Sequence, residues 1–167
     1  FEERHPSGSK ARLAYALLYY TASRRGDVVK LGRQHAKNGR LKFTQNKTHA
    51  DMDLPIHPEL AREIEALEHN ELTFLITEYG KPFTPEGFGN WFKERCKEAG
   101  LPKCTAHGLR KAATRTVIES GKTTAQAGGL TGHQTLAEID HYSEKRDQAA
   151  LADVAVEALG RTKNGTK

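Results

Sequence analysis

Six side chains that can bind an anion or transfer a proton follow one another along the chain. In chain order they are Arg24, Lys47, His107, Arg110, His133 and Tyr142. Two arginines can grip the oxygens of an oxyanion with their planar forks and neutralise charge that builds up in a transition state. Histidine exchanges protons near neutral pH, and a tyrosine hydroxyl, with a pKa of about 10, becomes a nucleophile when its proton is removed or shared.

Each of these residues, taken alone, also has an ordinary structural interpretation. His107 and Arg110 are three residues apart at a predicted helix start, and such a pair is most often an exposed polar face. A lone tyrosine usually packs with its hydroxyl in water, and a lysine at a hairpin tip is usually solvated. Only the order and spacing of the whole set distinguish it from this background.

Four short motifs contain these residues. They are Thr21–Asp27 (TASRRGD), the hairpin lysine Lys47, His107–Thr114 (HGLRKAAT), and Leu130–His133 (LTGH) followed by His141-Tyr142. The tyrosine lies nine residues after His133. In order and spacing the motifs resemble those of the tyrosine recombinase (phage integrase) family, over roughly Leu13 to Leu159.

The resemblance has two small departures and one ambiguity. Ala22 stands where the family usually has glycine, and Thr131 occupies a variable position. Arg24 and Arg25 are adjacent candidates for one role, and the spacing to the surrounding threonine and aspartate favours Arg24. None of these points removes a reactive group.

The resemblance implies a covalent mechanism on DNA. Tyr142 would attack a phosphate and form a 3′-phosphotyrosyl bond, which stores the energy of the broken bond, so that religation needs no ATP. Arg24 and Arg110 would bind the phosphate in place of metal ions. No cofactor and no metal are therefore expected, in agreement with the absence of a clustered Asp/Glu site and of a GxxxxGK[ST] phosphate-binding loop.

The other members of the set receive supporting roles by the same resemblance. His107 would be the base or proton shuttle, His133 would hydrogen-bond the scissile phosphate, and Lys47 would protonate the departing 5′-oxygen. Asp27 would hold the arginine and histidine in place. Three further basic side chains are expected to contact DNA: Arg25, Lys42 and Lys111.

The expected partners are double-stranded DNA at a specific recombination site and further copies of the chain, as a tetramer on DNA and a monomer without it. The amphipathic helix predicted over residues 147–159 suits packing on its own domain or on a neighbour, and both stay open.

A non-catalytic DNA-binding relative and a type IB topoisomerase are the alternative functions. The presence of every reactive residue argues against the first, and the short spacing from His133 to Tyr142 argues against the second.

The elements that must position these residues are mostly helical, with one small sheet. Helices are predicted over 11–20, from about Arg24 through Leu31, from Pro58 through Leu67, from Thr84-Pro85 to Gly100, from Thr105 to Gly121, and over 123–130, 134–142 and 147–159. Two alternating runs between Gly39 and Ile56 predict a β-hairpin around Lys47–Ala50. Leu72–Ile76 is either a short strand or an apolar segment beneath the helices. The predicted class is mainly α with a small antiparallel sheet (α+β).

Composition sets the broader expectations. The chain has 37% hydrophobic and 28% charged residues and only two cysteines, which is typical of a soluble protein of the reducing cytoplasm. Residues 1–50 hold eleven Lys/Arg and three Asp/Glu, so the first third of the chain is the part expected to face a polyanion.

We expect a catalytic domain over 1–160 and a polar, disordered tail over 161–167. A family member's N-terminal core-binding domain is expected to be absent from this chain.

Overall fold

The computed structural model describes residues 1–68, 70–132 and 156. Its helices there are α1 (Lys10–Thr21), α2 (Arg25–Val28), α3 (Pro58–Glu65), α4 (Pro85–Glu98), α5 (Ala106–Glu119) and α6 (Thr124–Thr131). A 3₁₀ turn (Arg33–His35) precedes the strands β1 (Ala36–Lys37), β2 (Arg40–Thr44) and β3 (Asp51–Pro55). The mainly α class with a small antiparallel sheet is confirmed.

Helix α1 forms the centre of the core. Leu13, Leu17 and Leu18 are at most 1% exposed, and the helix contacts α2, α3, α4 and α5. The Ser9 hydroxyl caps its first turn by accepting a hydrogen bond from the backbone of Arg12 at 3.2 Å. The helix ends at Ala22 in the left-handed region, with a φ of 46°.

The sheet is antiparallel, with β2 paired on both sides. Leu41 lies opposite Leu54, and Phe43 lies opposite Met52, so the apolar residues of both alternating runs share one face, as the period of two requires. The predicted hairpin is confirmed, and Lys47 lies in the turn between β2 and β3. The two-residue strand β1 was not predicted, because it is too short to show alternation.

The structure decides between two alternatives for one segment and corrects the length of another. Leu72–Ile76 forms no strand: Phe74 and Leu75 are buried, and Ile76 makes only an isolated bridge to Pro82. The alternative of an apolar segment beneath the helices therefore holds for Phe74 and Leu75, but not for Leu72, which is 78% exposed. Phe74 is tied to the core by a 2.8 Å bond from its backbone N–H to the carbonyl of Leu31. The helix predicted from Arg24 through Leu31 is wrong in length, because α2 ends at Val28.

Helix α5 buries a different face from the one predicted. The expected stripe comprised Leu109, Ala112, Ala113, Thr116 and Val117. The residues that are buried are Ala106, Arg110, Ala113, Thr114 and Ile118. The helix is thus rotated by about one position, because burial of the Arg110 guanidinium, and not apolarity alone, fixes its orientation.

The helices predicted over 134–142 and 147–159 and the tail over 161–167 lie outside the described residues, apart from residue 156. In the described part of the chain, no helix combines the length and apolarity that crossing a membrane requires.

Candidate active site

The first turn of α5 supplies two of the predicted site residues. The Thr105 hydroxyl caps the helix by accepting a 3.0 Å hydrogen bond from the backbone of Gly108. His107 and Arg110 follow at a spacing of three, which places them on one side of the helix. Their burial differs: His107 is exposed, whereas Arg110 is only 4% exposed.

Two backbone carbonyls hold the buried Arg110 guanidinium. Its Nη1 donates to the carbonyl of Ala22, 88 residues away in sequence, and its Nη2 donates to the carbonyl of Thr131 at 3.0 Å. A buried charge is tolerated only where hydrogen bonds compensate its lost hydration. These bonds therefore fix the guanidinium where the ends of α1 and α6 meet α5.

Arg24 and Arg25 extend toward different neighbours. Arg24 is half-buried, and its Nη1 donates to Oε1 of Gln45 at 2.8 Å. Arg25 is exposed, and its Nη2 lies 3.8 Å from a carboxylate oxygen of Glu86 on α4. Only Arg24 is directed to the group of residues that surrounds Arg110.

Gln45 joins the two arginines and was not predicted as a site residue. Its side-chain oxygen accepts from Arg24, and its Nε2 donates to the carbonyl of Thr131 at 2.9 Å. The same carbonyl accepts from Arg110. A signal was present in the sequence, because Gln45 occupies the inward position that Leu41 and Phe43 occupy earlier in the run.

The end of α6 lies against Gln45. Gly132 caps this helix with a φ of 68° and bonds the carbonyl of Gly128 at 2.7 Å. A Cβ at Gly132 would lie 2.7 Å from Nε2 of Gln45 and 2.8 Å from Sδ of Met52. Both the left-handed backbone and the close approach require glycine here. His133 is the next residue in the chain.

The turn that carries Lys47 is attached to α2. The backbone of Asn46 donates to Oδ1 of Asp27 at 2.9 Å, and its side-chain Nδ2 donates to the carbonyl of Gly26 at 3.1 Å. Lys30 Nζ donates to Oδ1 of Asn46 at 2.7 Å. Asp27 was expected to hold an arginine and a histidine, whereas the hydrogen bond that its side chain makes within the described residues goes to this turn. Lys47 itself is exposed.

Electrostatics favour a neutral His107. The residue is largely exposed, but protein atoms beside the ring remove part of its water, and this partial burial lowers the pKa of His107 below its ordinary value of 6.5. Three positive charges lower that pKa further; in order of effect they are Lys111, Arg110 and Arg24. Both arginines are therefore close enough to His107 to act on its proton.

The remaining predicted residues fall into two groups. Lys111 and Lys42 are exposed, and Nζ of Lys42 lies 3.1 Å from a carboxylate oxygen of Asp53. His133 and Tyr142 lie outside the described residues. Within residues 1–68 and 70–132, no three His, Cys, Asp or Glu side chains are grouped as a metal site would need.

Comparison with known proteins agrees with this architecture. Residues 1–149 match the sequence model of the phage integrase family. No curated protein sequence matches the chain significantly.

Among solved structures, XerA recombinase superposes with a TM-score of 0.69 at 18% identity, covering 92% of this chain and 63% of that one. A lambda integrase dimer bound to a COC′ core site gives 0.71 at 22% identity, with 88% and 45% covered. Tn1549 transposon integrase in complex with a circular intermediate DNA gives 0.73 at 16% identity, with 87% and 57% covered. The chain thus shares their fold and spans about half to two thirds of their length.

Proposed function

Because the chain belongs to the phage integrase family, we propose that its residues 1–160 form the catalytic domain of a site-specific recombinase. This domain cuts and rejoins DNA through a covalent bond between Tyr142 and a 3′-phosphate. The observation that carries the proposal is the arrangement of the two arginines beside the end of α6. Arg24 and Arg110 are linked there through Gln45 and the carbonyl of Thr131, and both act electrostatically on His107. The family resemblance inferred from four motifs is confirmed by the family match.

The reaction follows from the chemistry of these groups. The Tyr142 oxygen attacks phosphorus while His107, held neutral by its surroundings, accepts the phenolic proton. Arg24 and Arg110 bind the non-bridging oxygens and stabilise the charge that grows on them in the transition state. The bond from phosphorus to the 5′-oxygen breaks, and Lys47 supplies the proton that this oxygen takes up.

Religation is the same sequence in reverse. A 5′-hydroxyl attacks the phosphorus and loses its proton to Lys47. The bond from phosphorus to the Tyr142 oxygen breaks, and that oxygen takes its proton back from His107. Since one phosphoester replaces another at each step, no nucleotide hydrolysis is required. His133, which follows Gly132, adds a hydrogen bond to the phosphate.

The proposed partner is double-stranded DNA, on which copies of the chain assemble as a tetramer in the cytoplasm. The basic residues 1–50 support this, because Lys42, Lys47 and Arg25 are exposed there. The structural relatives include a lambda integrase dimer on a core site and a lambda integrase tetramer on a Holliday junction. Lys111 adds a further exposed cation next to His107.

Trapping the covalent intermediate tests this function. The chain is incubated with nicked suicide duplexes of randomised sequence in the presence of EDTA, and SDS-resistant protein–DNA adducts are collected and sequenced. We expect adducts on a restricted set of sequences, linked to the 3′-phosphate. Tyr142→Phe should form none, whereas Tyr79→Phe, which alters an exposed tyrosine, should form as many as the unmodified chain. Adducts that persist in Tyr142→Phe would show that the nucleophile is misassigned.

A further inference from the structure

We propose that Gln45 is a positioning residue that fixes Arg24 relative to Arg110 and to the end of α6, an inference that rests on the proposed strand-transfer function. Gln45 does not touch the reacting phosphate in this proposal. It acts through the two arginines, and through the segment of chain that leads into His133.

The burial of Gln45 is the first observation. Glutamine is mostly exposed in proteins, yet Gln45 is 1% exposed, directly after strand β2. Its Oε1 accepts from Arg24 Nη1 at 2.8 Å and from the Thr48 hydroxyl at 2.6 Å. Its Nε2 donates to the carbonyl of Thr131. The side-chain amide therefore both accepts hydrogen bonds and donates one. Neither an apolar side chain nor a carboxylate could do both.

The shared carbonyl of Thr131 is the second observation. It accepts one hydrogen bond from Gln45 at 2.9 Å and one from Arg110 at 3.0 Å. Arg110 also donates to the carbonyl of Ala22, two residues before Arg24. These contacts form a closed ring that runs from Arg24 through Gln45, Thr131 and Arg110 back to the chain beside Arg24. A shift of either guanidinium must break a member of this ring.

The glycine at the end of α6 is the third observation. Gly132 leaves room for Nε2 of Gln45, which lies only 2.7 Å from where a Cβ would stand. The amide thus fills the space directly beside the peptide that leads to His133. One side chain thereby couples Arg24, Arg110 and the start of the segment that carries the third phosphate-binding candidate.

Such coupling matters because two guanidinium groups bind one phosphate well only when their relative position is already set. Orienting the groups before the reaction removes a cost that would otherwise fall on the transition state. A long arginine side chain without a fixed partner samples many rotamers. Loss of Gln45 should therefore reduce the rate of cleavage more than the affinity for DNA.

The test compares Gln45→Met, which keeps the size of the side chain and removes all of its hydrogen bonds, with Gln34→Met at an exposed glutamine. We expect single-turnover cleavage of a captured suicide substrate to fall about 10- to 100-fold in Gln45→Met, similar to the cost of removing the hydrogen-bond partner of a metal ligand. DNA affinity should change less than threefold, and Gln34→Met should match the unmodified chain in both measurements.

A second measurement does not depend on activity. In the unmodified chain the Gln45 contact restrains Arg24, so the two Nη groups should give separate guanidinium NMR signals, assigned by their loss in Arg24→Lys. In Gln45→Met the Arg24 signals should merge, because the Arg24 guanidinium then rotates freely. The guanidinium signals of Arg25 should not change. A chain that forms no adduct but shows this change would refute the proposed function and leave the positioning role intact.

Gln45→Glu keeps the test decisive if Gln45→Met does not fold, as judged by circular dichroism. The carboxylate still accepts from Arg24, so the Arg24 signals should remain separate. It cannot donate to the Thr131 carbonyl and it offsets an arginine charge, so cleavage should still fall at least tenfold. Cleavage within threefold of the unmodified chain in either folded variant, or unchanged Arg24 signals in Gln45→Met, would overturn the proposal.

Discussion

At the scale of single residues, the state of His107 depends on its neighbours. Burial on one side of the ring and the charges of Lys111, Arg110 and Arg24 all favour the neutral imidazole. A neutral ring can accept the proton of Tyr142 at physiological pH, as the proposed mechanism requires. The arginines that would bind the phosphate thus also prepare the base.

A pH profile checks this arrangement. Cleavage by the unmodified chain should lose rate only as the pH falls below 6.5, because the pKa of His107 is lowered from that value. Lys111→Gln removes the charge with the largest effect of the three on His107. His107 is then protonated more easily, so its pKa rises and the acid limb of the profile moves to higher pH. The matched variant Arg115→Gln alters an exposed arginine one turn later on α5 and should leave the limb in place. Superimposable profiles for Lys111→Gln and the unmodified chain would contradict this account.

At the scale of secondary-structure elements, helix α2 fixes the turn between β2 and β3. Asn46 is bonded to Asp27, Gly26 and Lys30, so three hydrogen bonds attach the residue before Lys47. The side chain of Lys47 remains exposed on a turn whose backbone is held. This combination suits a proton donor that reaches a DNA strand from a fixed base.

Asn46→Ala should weaken that attachment. It removes two of the three hydrogen bonds, at a cost of about 1 kcal/mol in the free energy of unfolding because the site is exposed. We expect cleavage to fall about tenfold, as Lys47 protonates the 5′-oxygen less often. A substrate with a 5′-sulfur leaving group, which needs no proton, should restore the rate.

Thr44→Ala is the control for this variant. It removes one exposed hydrogen bond, from Thr44 to Asp51 on the same hairpin, and should cleave normally. A rate for Asn46→Ala that stays low on the sulfur substrate would mean that the turn does not act through Lys47. Urea unfolding of both variants checks that their stability losses are similar.

Sequence reasoning was most successful for elements with a strong local signal. The helix starts at Thr84 and Thr105 and the alternating runs of the hairpin appear in the structure where they were predicted. It failed for α5, because apolar counting cannot know that Arg110 is buried by carbonyls from Ala22 and Thr131. The inward position of Gln45 could be seen in the alternating run, but its partners Arg24 and Thr131 could not, because they are 21 and 86 residues away in sequence.

At the scale of the whole molecule, charge is distributed unevenly. Residues 1–50 carry eleven basic and three acidic side chains, whereas the rest of the chain carries fifteen and eighteen. On the sheet, Asp53 binds both Arg40 and Lys42, and these hydrogen bonds lower the pKa of its carboxyl group. That carboxylate would therefore compete with the proposed DNA partner for two cations of the basic surface.

Removing this competitor should strengthen DNA binding. Asp53→Asn removes the carboxylate that pairs with Lys42 and with Nε of Arg40, while Nη2 of Arg40 keeps its hydrogen bond to the backbone carbonyl of residue 53. We therefore expect tighter DNA binding and a steeper dependence of affinity on salt. Asp51→Asn makes the same change in net charge on the same strand, where the carboxylate accepts from Thr44, and should have a smaller effect. Fluorescence anisotropy titrations at several salt concentrations measure both. Equal gains in the two variants would point to net charge alone.

The ring of contacts around Thr131 also bears on how the chain folds. Its members are separated by 21, 86, 88 and 21 residues along the sequence, so most of the described chain must assemble before the ring closes. Contacts of such long range carry the largest entropic cost of loop closure. A partly folded chain already contains every arginine, yet it has no carbonyls arranged to hold them. The paired phosphate-binding group that we propose therefore forms only when the fold is complete.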